Sequence, residues 1–541
     1  MLYLLFTAIL LLAAFSGIGS ISEKLFKIRN EFISLRILIS MTVLATAFTA
    51  FSFFGPINIY VEVPILFLGT AAFFYFKDYL KYWDLMVSYN HLFLAGLFII
   101  LFAGSFYPFI LDHFGYYVPT IKWISEFGLV KGISNLDLLL GQMSVWHIFQ
   151  AGFSSFSDIF LRMNAILLIV YLIYSIERKS WIHLIFIPVL FFFAQSPSPD
   201  LAVIIFSLMI LNEIFAANKN RALLFVLSTF VFAIKPTMIW VPIFTFLYIL
   251  LELKGSIKAL IPGFLLLIVF VIKNLWTFGY PVFPVQIGSM GLSWMPNKEI
   301  LRISSEIAIQ KTYDMQYSAE EISKFTFWDY VKNWFSIKGL KSKIHILFIA
   351  TLIIFTVFCF LKKKRIYTSL LVSILIKSFV VLLFSAQYRF FIDVFFVSAF
   401  ILFYEKISRK TAVIFFTTLS LTAFLFLSFP TVLKTLVPSF RLGNFMLGFQ
   451  KSQIIKPSHF KLERYKTYQI GNLRFNVAEG YPFSFDTPLP AISPQFLQED
   501  YDAGIFPQKI SDDIKDGFQW IKMSDQQKLQ LKKVLEELKQ K

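Results

Sequence analysis

Apolar runs recur along this 541-residue chain, and most are separated by gaps of only a few polar residues. A helix needs about 20 apolar residues to cross the hydrocarbon of a bilayer, within a range of about 17–25. Runs near that length lie at 1–18, 36–55, 62–77, 92–110, 159–176, 181–194, 200–217, 222–234, 237–253, 258–274, 345–361, 367–385, 389–404 and 411–429. That predicts an all-α transmembrane helical bundle of about fourteen spans. Composition agrees: 57% of residues are hydrophobic and only 15% charged, against about 25% charged in a soluble domain. The first run lacks a basic start and a small-residue cleavage site, so it reads as a retained span.

The gaps are not alike. Every second gap is basic: Lys24 to Arg36, Lys77 and Lys81, Arg178 and Lys179, Lys219 and Arg221, Lys254 and Lys258, Lys362 to Arg365, and Lys406 to Lys410. Short cytoplasmic loops carry the excess of Lys and Arg. The alternation therefore predicts an even number of spans with both termini on the outer side. The net charge of +17 follows this pattern, which suits topology signals and anionic headgroups. No nucleic-acid motif accompanies it, so no nucleic-acid partner is expected. The single cysteine, Cys359, excludes an intrachain disulfide. The six histidines show no metalloprotease spacing, and no phosphate-binding glycine loop is present.

Three polar segments fall on the outer side. Residues 112–158 hold two amphipathic stretches. Val118, Ile121, Ile124 and Phe127 recur at helical spacing, with Gly128 to end that helix. Ser134 to Asp137 has a capping-box pattern before a second stripe through Trp146. Both read as interfacial helices lying beside the membrane. The second segment is 275–344. The third, 430–541, reads as a small C-terminal extramembrane module, with a turn-rich stretch at 485–490 and a helix from Ser524. The chain thus divides into N-terminal helices (1–91), a transmembrane core (92–429) and the C-terminal module.

Ionisable residues at the outer span ends are the ones to ask about chemistry, because a charge there must be solvated, paired or used. Asp112 closes the fourth span and can act as a general base, with His113 to assist it. Lys235, Lys273 and Arg389 are cations on the side where topology does not favour them. Together they can hold a phosphate, Arg389 best of all through its bidentate fork, with Asp393 to orient it. Asp200 follows Ser198 at a helix start, where capping explains it. Glu213, Lys377 and Asp158, in or near spans, read as structural pairs or cavity lining.

An acidic residue just past a span, two juxtamembrane helices and a return span are similar to the first external loop of GT-C glycosyltransferases. More closely, Asp112-x3-Tyr116 with Ile121-Lys122-Trp123-Ile124-x2-Phe127-Gly128-Leu129-Val130-x-Gly132-x2-Asn135-Leu136 resembles a family of bacterial multi-pass proteins of that architecture. Ser198-x-Asp200, Lys273-Asn274-x4-Gly279-Tyr280-Pro281-x-Phe283-Pro284, Tyr388-Arg389-Phe390 and Asp486-Thr487-Pro488-Leu489-Pro490 extend it from about residue 90 to the tail. The first three spans lie outside a minimal GT-C core.

The resemblance implies sugar transfer from a polyprenyl-phosphate donor to a lipid or cell-surface glycan at the outer face of a bacterial inner membrane. Asp112 and His113 would be catalytic. Arg389, Lys273, Lys235, Tyr116, Asn274, Asp200 and Tyr388 would bind substrate or lipid phosphate. Such enzymes often carry a second acidic residue next to the first; here His113 follows Asp112, so a metal pair is absent and no cofactor is expected. The partners would be membrane lipids, the lipid-linked sugar and its acceptor. Two rivals remain: a lipid-linked glycan polymerase or ligase with its site in 275–344, and a flippase of polyprenyl-linked sugars. The lack of an internal repeat and the outer-edge position of the polar candidates disfavour transport. The proposed chemistry sets a distance: Asp112 and Arg389 should face each other across a sugar-wide gap, on the order of 7–12 Å, in one outward cavity with Lys273, whereas a closer approach would make them a simple structural salt bridge.

Overall fold

The computed structural model describes residues 1–462 and 464–539. The chain is mostly helical. The N-terminal helices are α1 (Leu2–Leu25), α2 (Ile33–Ser52), α3 (Ile59–Tyr75) and α4 (Tyr79–Ser105). A polar segment with α5 (Val118–Phe127) and α6 (Val145–Ala151) follows. Next come α7 (Met163–Glu177), α8 (Ile182–Leu190), α9 (Pro199–Phe215), α10 (Arg221–Ile234), α11 (Trp240–Leu251) and α12 (Ile261–Thr277). The second polar segment carries α13 (Lys298–Thr312), α14 (Ala319–Ser323) and α15 (Phe327–Ser336). Then follow α16 (Leu340–Lys362), α17 (Arg365–Phe384), α18 (Ile392–Phe403), α19 (Arg409–Ser428) and α20 (Pro430–Leu436).

Each of the fourteen apolar runs lies on one of these helices. Among the described residues, however, six are long and apolar enough to cross a bilayer, or seven if α3 and the first part of α4, bent by 69°, make one span. Several others are shorter: α7, α8, α10, α11 and α18 have 9 to 15 residues. At about 1.5 Å per residue such helices fall short of a hydrocarbon core about 30 Å thick. Many are enclosed by protein: every residue of α7 up to Ile176 is buried. The sequence located helices correctly; their lengths do not establish fourteen crossings.

The three N-terminal helices pack tightly on one another and on the rest. A Cβ on Gly17 would lie 1.9 Å from the carbonyl oxygen of Gly69, so α1 and α3 touch backbone to backbone. Phe48 of α2 meets Phe153, beyond α6, at 5.8 Å between ring centroids. The basic gaps gather at one end of the bundle. Arg36 pairs with Glu23 (2.8 Å) and with Asp78. Arg178 pairs with Glu213, and Arg409 lies over the rings of Tyr89 and Trp181.

The opposite end is a cap built from all three polar segments. Lys122 Nζ donates to the carbonyl of Asp486 (2.8 Å), Gly132 N to that of Trp276 (2.8 Å), and Phe518 N to that of Lys131 (3.0 Å). Asn135 Nδ2 reaches the carbonyl of Trp294 at 2.8 Å. This corrects the expectation of two interfacial helices in 112–158. The first, α5, ends at Gly128 (φ 77°) as predicted. The second is broken into two short 3-10 turns and α6, because Asp137 caps Leu139 N and Ser144 caps Trp146 N. Trp123 and Trp146 are fully buried. The apolar stripes found protein, not lipid.

The tail adds strands to the helix expected from Ser524. Strands β1 (Tyr465–Ile470) and β2 (Leu473–Ala478) form one antiparallel hairpin, with Tyr468 opposite Phe475. Strands β3 (Ile505–Lys509) and β4 (Phe518–Lys522) form another, with Pro507 opposite Trp520. Helix α21 (Pro494–Ala503) precedes β3. Helix α22 (Asp525–Lys539) starts where Ser524 Oγ accepts from Gln527 N. Residues 463, 540 and 541 of the predicted module lie outside the described residues.

Candidate functional site

Asp112 stands seven residues beyond the end of α4 and leads into a π-helical turn, His113–Tyr117, that runs directly into α5. Such turns carry one residue more than an α-turn and are frequent at functional sites. Arg389 sits on a 3-10 turn, Tyr388–Phe390, between α17 and α18. Although 277 residues apart, the two side chains meet: Arg389 Nη1 donates to Asp112 Oδ2 at 3.0 Å. The separation of 7–12 Å expected from the sequence is corrected: the two side chains are in direct contact, as a salt bridge in which each neutralises the other. Both side chains keep about a third of their surface exposed (39% and 33%). Ion pairs with that much exposure are worth only about 0–1 kcal/mol, so this one opens easily. Arg389 Nε is buried without a partner, so the guanidinium is not saturated.

A second ion pair stands beside the first. Lys235, at the C-terminus of α10, pairs with Asp200, and its ammonium lies 5.3 Å from the centre of the Phe390 ring. Ser198 Oγ accepts from Asp200 N and caps α9, which leaves the Asp200 carboxylate for Lys235. Lys341 pairs with Asp314 and lies over the Tyr388 ring at 5.6 Å. Burial works against the charge of Arg389, but Asp112, Tyr116, Tyr117 and Asp200 outweigh it and hold its pKa above the usual value. Burial, then Asp112, pushes the Tyr116 phenol up, and burial does the same to Tyr388. Lys311, from α13, feels the same site: burial and Arg389 lower its pKa, and Asp112 opposes them. The site is a half-open cluster of alternating charge with a surplus of donors, suited to an anion.

Other predicted residues are elsewhere. His113 is buried beneath Phe114, with Nδ1 unpartnered. Burial and Arg162 hold its pKa well below normal, and it makes no hydrogen bond to Asp112, so it does not assist that carboxylate here. Lys273 is fully buried and donates to the carbonyls of Gln142 (2.8 Å) and Met143 (3.1 Å). The expectation that it faces an open cavity is corrected: its ammonium holds a loop. Asn274 donates to the Pro281 carbonyl (2.8 Å) and fixes the Gly279–Pro281 turn. Asp393 does not orient Arg389. It pairs with buried Lys377 and accepts from Trp240 Nε1 at 2.8 Å. Sequence reasoning missed Lys311, Lys341 and Asp314, since charged residues in a polar loop carry no local signature. It also missed His147, whose Nε2 lies 3.1 Å from the Pro197 carbonyl and whose ring lies 4.9 Å from that of Tyr117.

The chain belongs to the family described as "Domain of unknown function (DUF8201)", whose profile matches residues 1–396. The match starts at the first helix and ends past Asp393, so it contains the N-terminal helices and every residue of the Asp112–Arg389 cluster, and excludes the C-terminal module. No curated protein and no solved structure matches the chain.

Proposed function

We propose that this chain is a membrane glycosyltransferase of the GT-C kind. It moves a sugar from a polyprenyl-phosphate donor to a lipid or glycan acceptor at the outer face of a bacterial plasma membrane. The observation that carries this reading is the half-open Asp112–Arg389 pair, with Arg389 Nε left over, at the end of the bundle away from the basic gaps. In the resting state Asp112 neutralises Arg389. A lipid phosphate competes for the guanidinium, with Lys235 and Lys311 adding positive field, and so releases the carboxylate. Asp112 then takes the proton of the acceptor hydroxyl as its oxygen bonds to the anomeric carbon. The bond from that carbon to the phosphate oxygen breaks, and its electron pair leaves with the phosphate, where Arg389 stabilises the charge. Lys273 takes no part in either step, since it holds the Gln142 and Met143 carbonyls, and His113 makes no hydrogen bond to Asp112.

The test is binding of polyprenyl phosphate to the full-length protein, together with sugar transfer from a lipid-linked donor. Asp112→Asn should abolish transfer and leave binding equal or tighter, because the competing charge is gone. Arg389→Ala should weaken binding by roughly ten- to a hundredfold, the worth of about 1.5–3 kcal/mol for a hydrogen bond to a charged group. Failure of the wild-type protein to bind polyprenyl phosphate would overturn the reading.

A further inference from the structure

Helix α15 is sharply amphipathic, and its single apolar face meets protein at its C-terminal end and stands open at its N-terminal end. At the C-terminal end Trp334 is buried. Its Nε1 donates to the Ala386 carbonyl at 3.0 Å, and its ring stacks on His345 at 4.1 Å. Ile337, just beyond the helix, is buried as well. Further toward the N-terminus of the same face Phe327 and Trp328 are 71% and 74% exposed. Val331 and Phe335 follow at four-residue spacing, partly exposed, so these side chains make one continuous stripe. A water-facing helix has no reason to present such a stripe.

Chain geometry says what covers it. Four residues after Ser336, α16 begins; it is long and apolar enough to cross a bilayer, and only 28% of its apolar window is buried. Four extended steps span at most about 14 Å, so the end of α15 lies within that reach of the start of this spanning helix. The open stripe of α15 continues a lipid-facing surface. Leu340 N is bound to Ser439 Oγ (3.1 Å), which ties this corner to the 430–455 segment, where Leu436, Leu447 and Ile455 are also exposed. Lys332, Lys338 and Lys343 are exposed around the stripe and form no ion pair among the described residues.

We propose that α15 is an interfacial helix. Its Phe327, Trp328, Val331 and Phe335 face lies in the boundary between headgroups and acyl chains, and its lysines rest on anionic phospholipid headgroups. This brings the lipid surface to a helix pinned at Ala386, three residues from Arg389.

The test uses the full chain with Cys359→Ser and single cysteines at Phe327, Trp328, Val331 or Lys332, each spin-labelled. The proteins are placed in phosphatidylcholine vesicles with or without phosphatidylglycerol. Labels at 327, 328 and 331 should collide more with oxygen than with a water-soluble nickel chelate, and the label at 332 the reverse. Phosphatidylglycerol should draw the 328 label deeper. Changing Lys332, Lys338 and Lys343 to Gln should remove that effect, each lysine being worth roughly fivefold in partitioning. Nickel access at all four positions overturns the proposal. Labels shielded from both reagents mean a protein partner and overturn it too. Equal depth in both vesicles overturns the headgroup assignment.

Discussion

Asp137→Asn should make the cap at the Asp112 end far less sensitive to pH. Asp137, Glu499 and Asp500 come together around a cavity of about 10 Å³, also lined by Ser134 and Asn297. That is room for about one water. Asp137 Oδ1 accepts from Leu139 N at 2.9 Å, while Asp500 Oδ2 and Ser134 Oγ are buried without partners. Burial, reinforced by Glu499, pushes Asp137 up from 3.8 to about 8. Burial, then Glu499 and Asp137, pushes Asp500 well above its usual value. Glu499 is raised by burial, with Lys311 and Gln495 opposing and Asp502 reinforcing. A carboxyl whose pKa is raised by folding binds its proton more tightly in the folded state. Its stabilisation is whole below the ordinary carboxyl pKa and is lost as pH rises toward the folded value. At about 1.4 kcal/mol per unit, Asp137 alone removes about 2 kcal/mol between about pH 6 and about pH 8. Asn keeps the shape and the acceptor of the neutral acid and does not titrate. The assay is hydrogen exchange of the amides in 138–142 and 505–509, corrected for intrinsic rates. Wild-type protection should fall at least thirtyfold or so across that window, and the variant should lose about that much less. Flat or rising wild-type protection, or an unchanged slope in the variant, would refute the argument.

Three further outcomes follow from the packing. Asp393→Ala leaves the Lys377 ammonium buried without its partner, so it should destabilise the protein by about 3–5 kcal/mol, read as the detergent concentration or temperature at which the protein loses its fold. Lys273→Met strips the carbonyls of Gln142 and Met143 of their donor; the expected loss is about 1–3 kcal/mol, with proteolysis appearing near 141–144 and polyprenyl-phosphate affinity changed much less than by Arg389→Ala. Gly69→Leu forces a side chain where even a Cβ would lie 2.5 Å from the Ala14 carbonyl oxygen; a cysteine cross-link between α1 and α3 that forms in the parent should fail in this variant.

Where helices lie was legible from apolar periodicity, because each run must satisfy its backbone internally whether lipid or protein surrounds it. That Asp112 and Arg389, so distant in sequence, share one end of the bundle was legible as well, but the sugar-wide gap expected between them is absent. Their ion pair was not legible: a sequence shows which charges share an end, not which are in contact at rest. Lys273 looked like Arg389 in the sequence, a cation closing a span, but its neighbours include two free carbonyls of the 138–143 turns, which no local pattern announces. Asp393 is one helical turn from Arg389 and still turns away, because Lys377 and Trp240, from other helices, take both of its oxygens. The strands of the tail were missed because segments of five or six residues, with few apolar positions each, give a weak period.

The misplacement of the 118–151 stripes and the exposure of α15 obey one rule. An amphipathic helix must cover its apolar side, and periodicity cannot say with what. What separates the two cases is the fate of the polar flank. Around α5, Lys122 is spent on the carbonyls of Asp486 and Thr487, and Asn135 on those of Gly132 and Trp294. Each of those polar groups is met by a specific backbone atom of another segment, as a protein–protein contact requires. Around α15, Lys332, Lys338 and Lys343 find no such partner while Phe327 and Trp328 stand open. Headgroups can receive lysines without fixed geometry, and a folded protein surface seldom does. The exposed aromatics, flanked by lysines that no backbone atom receives, are therefore what marks α15 as facing lipid.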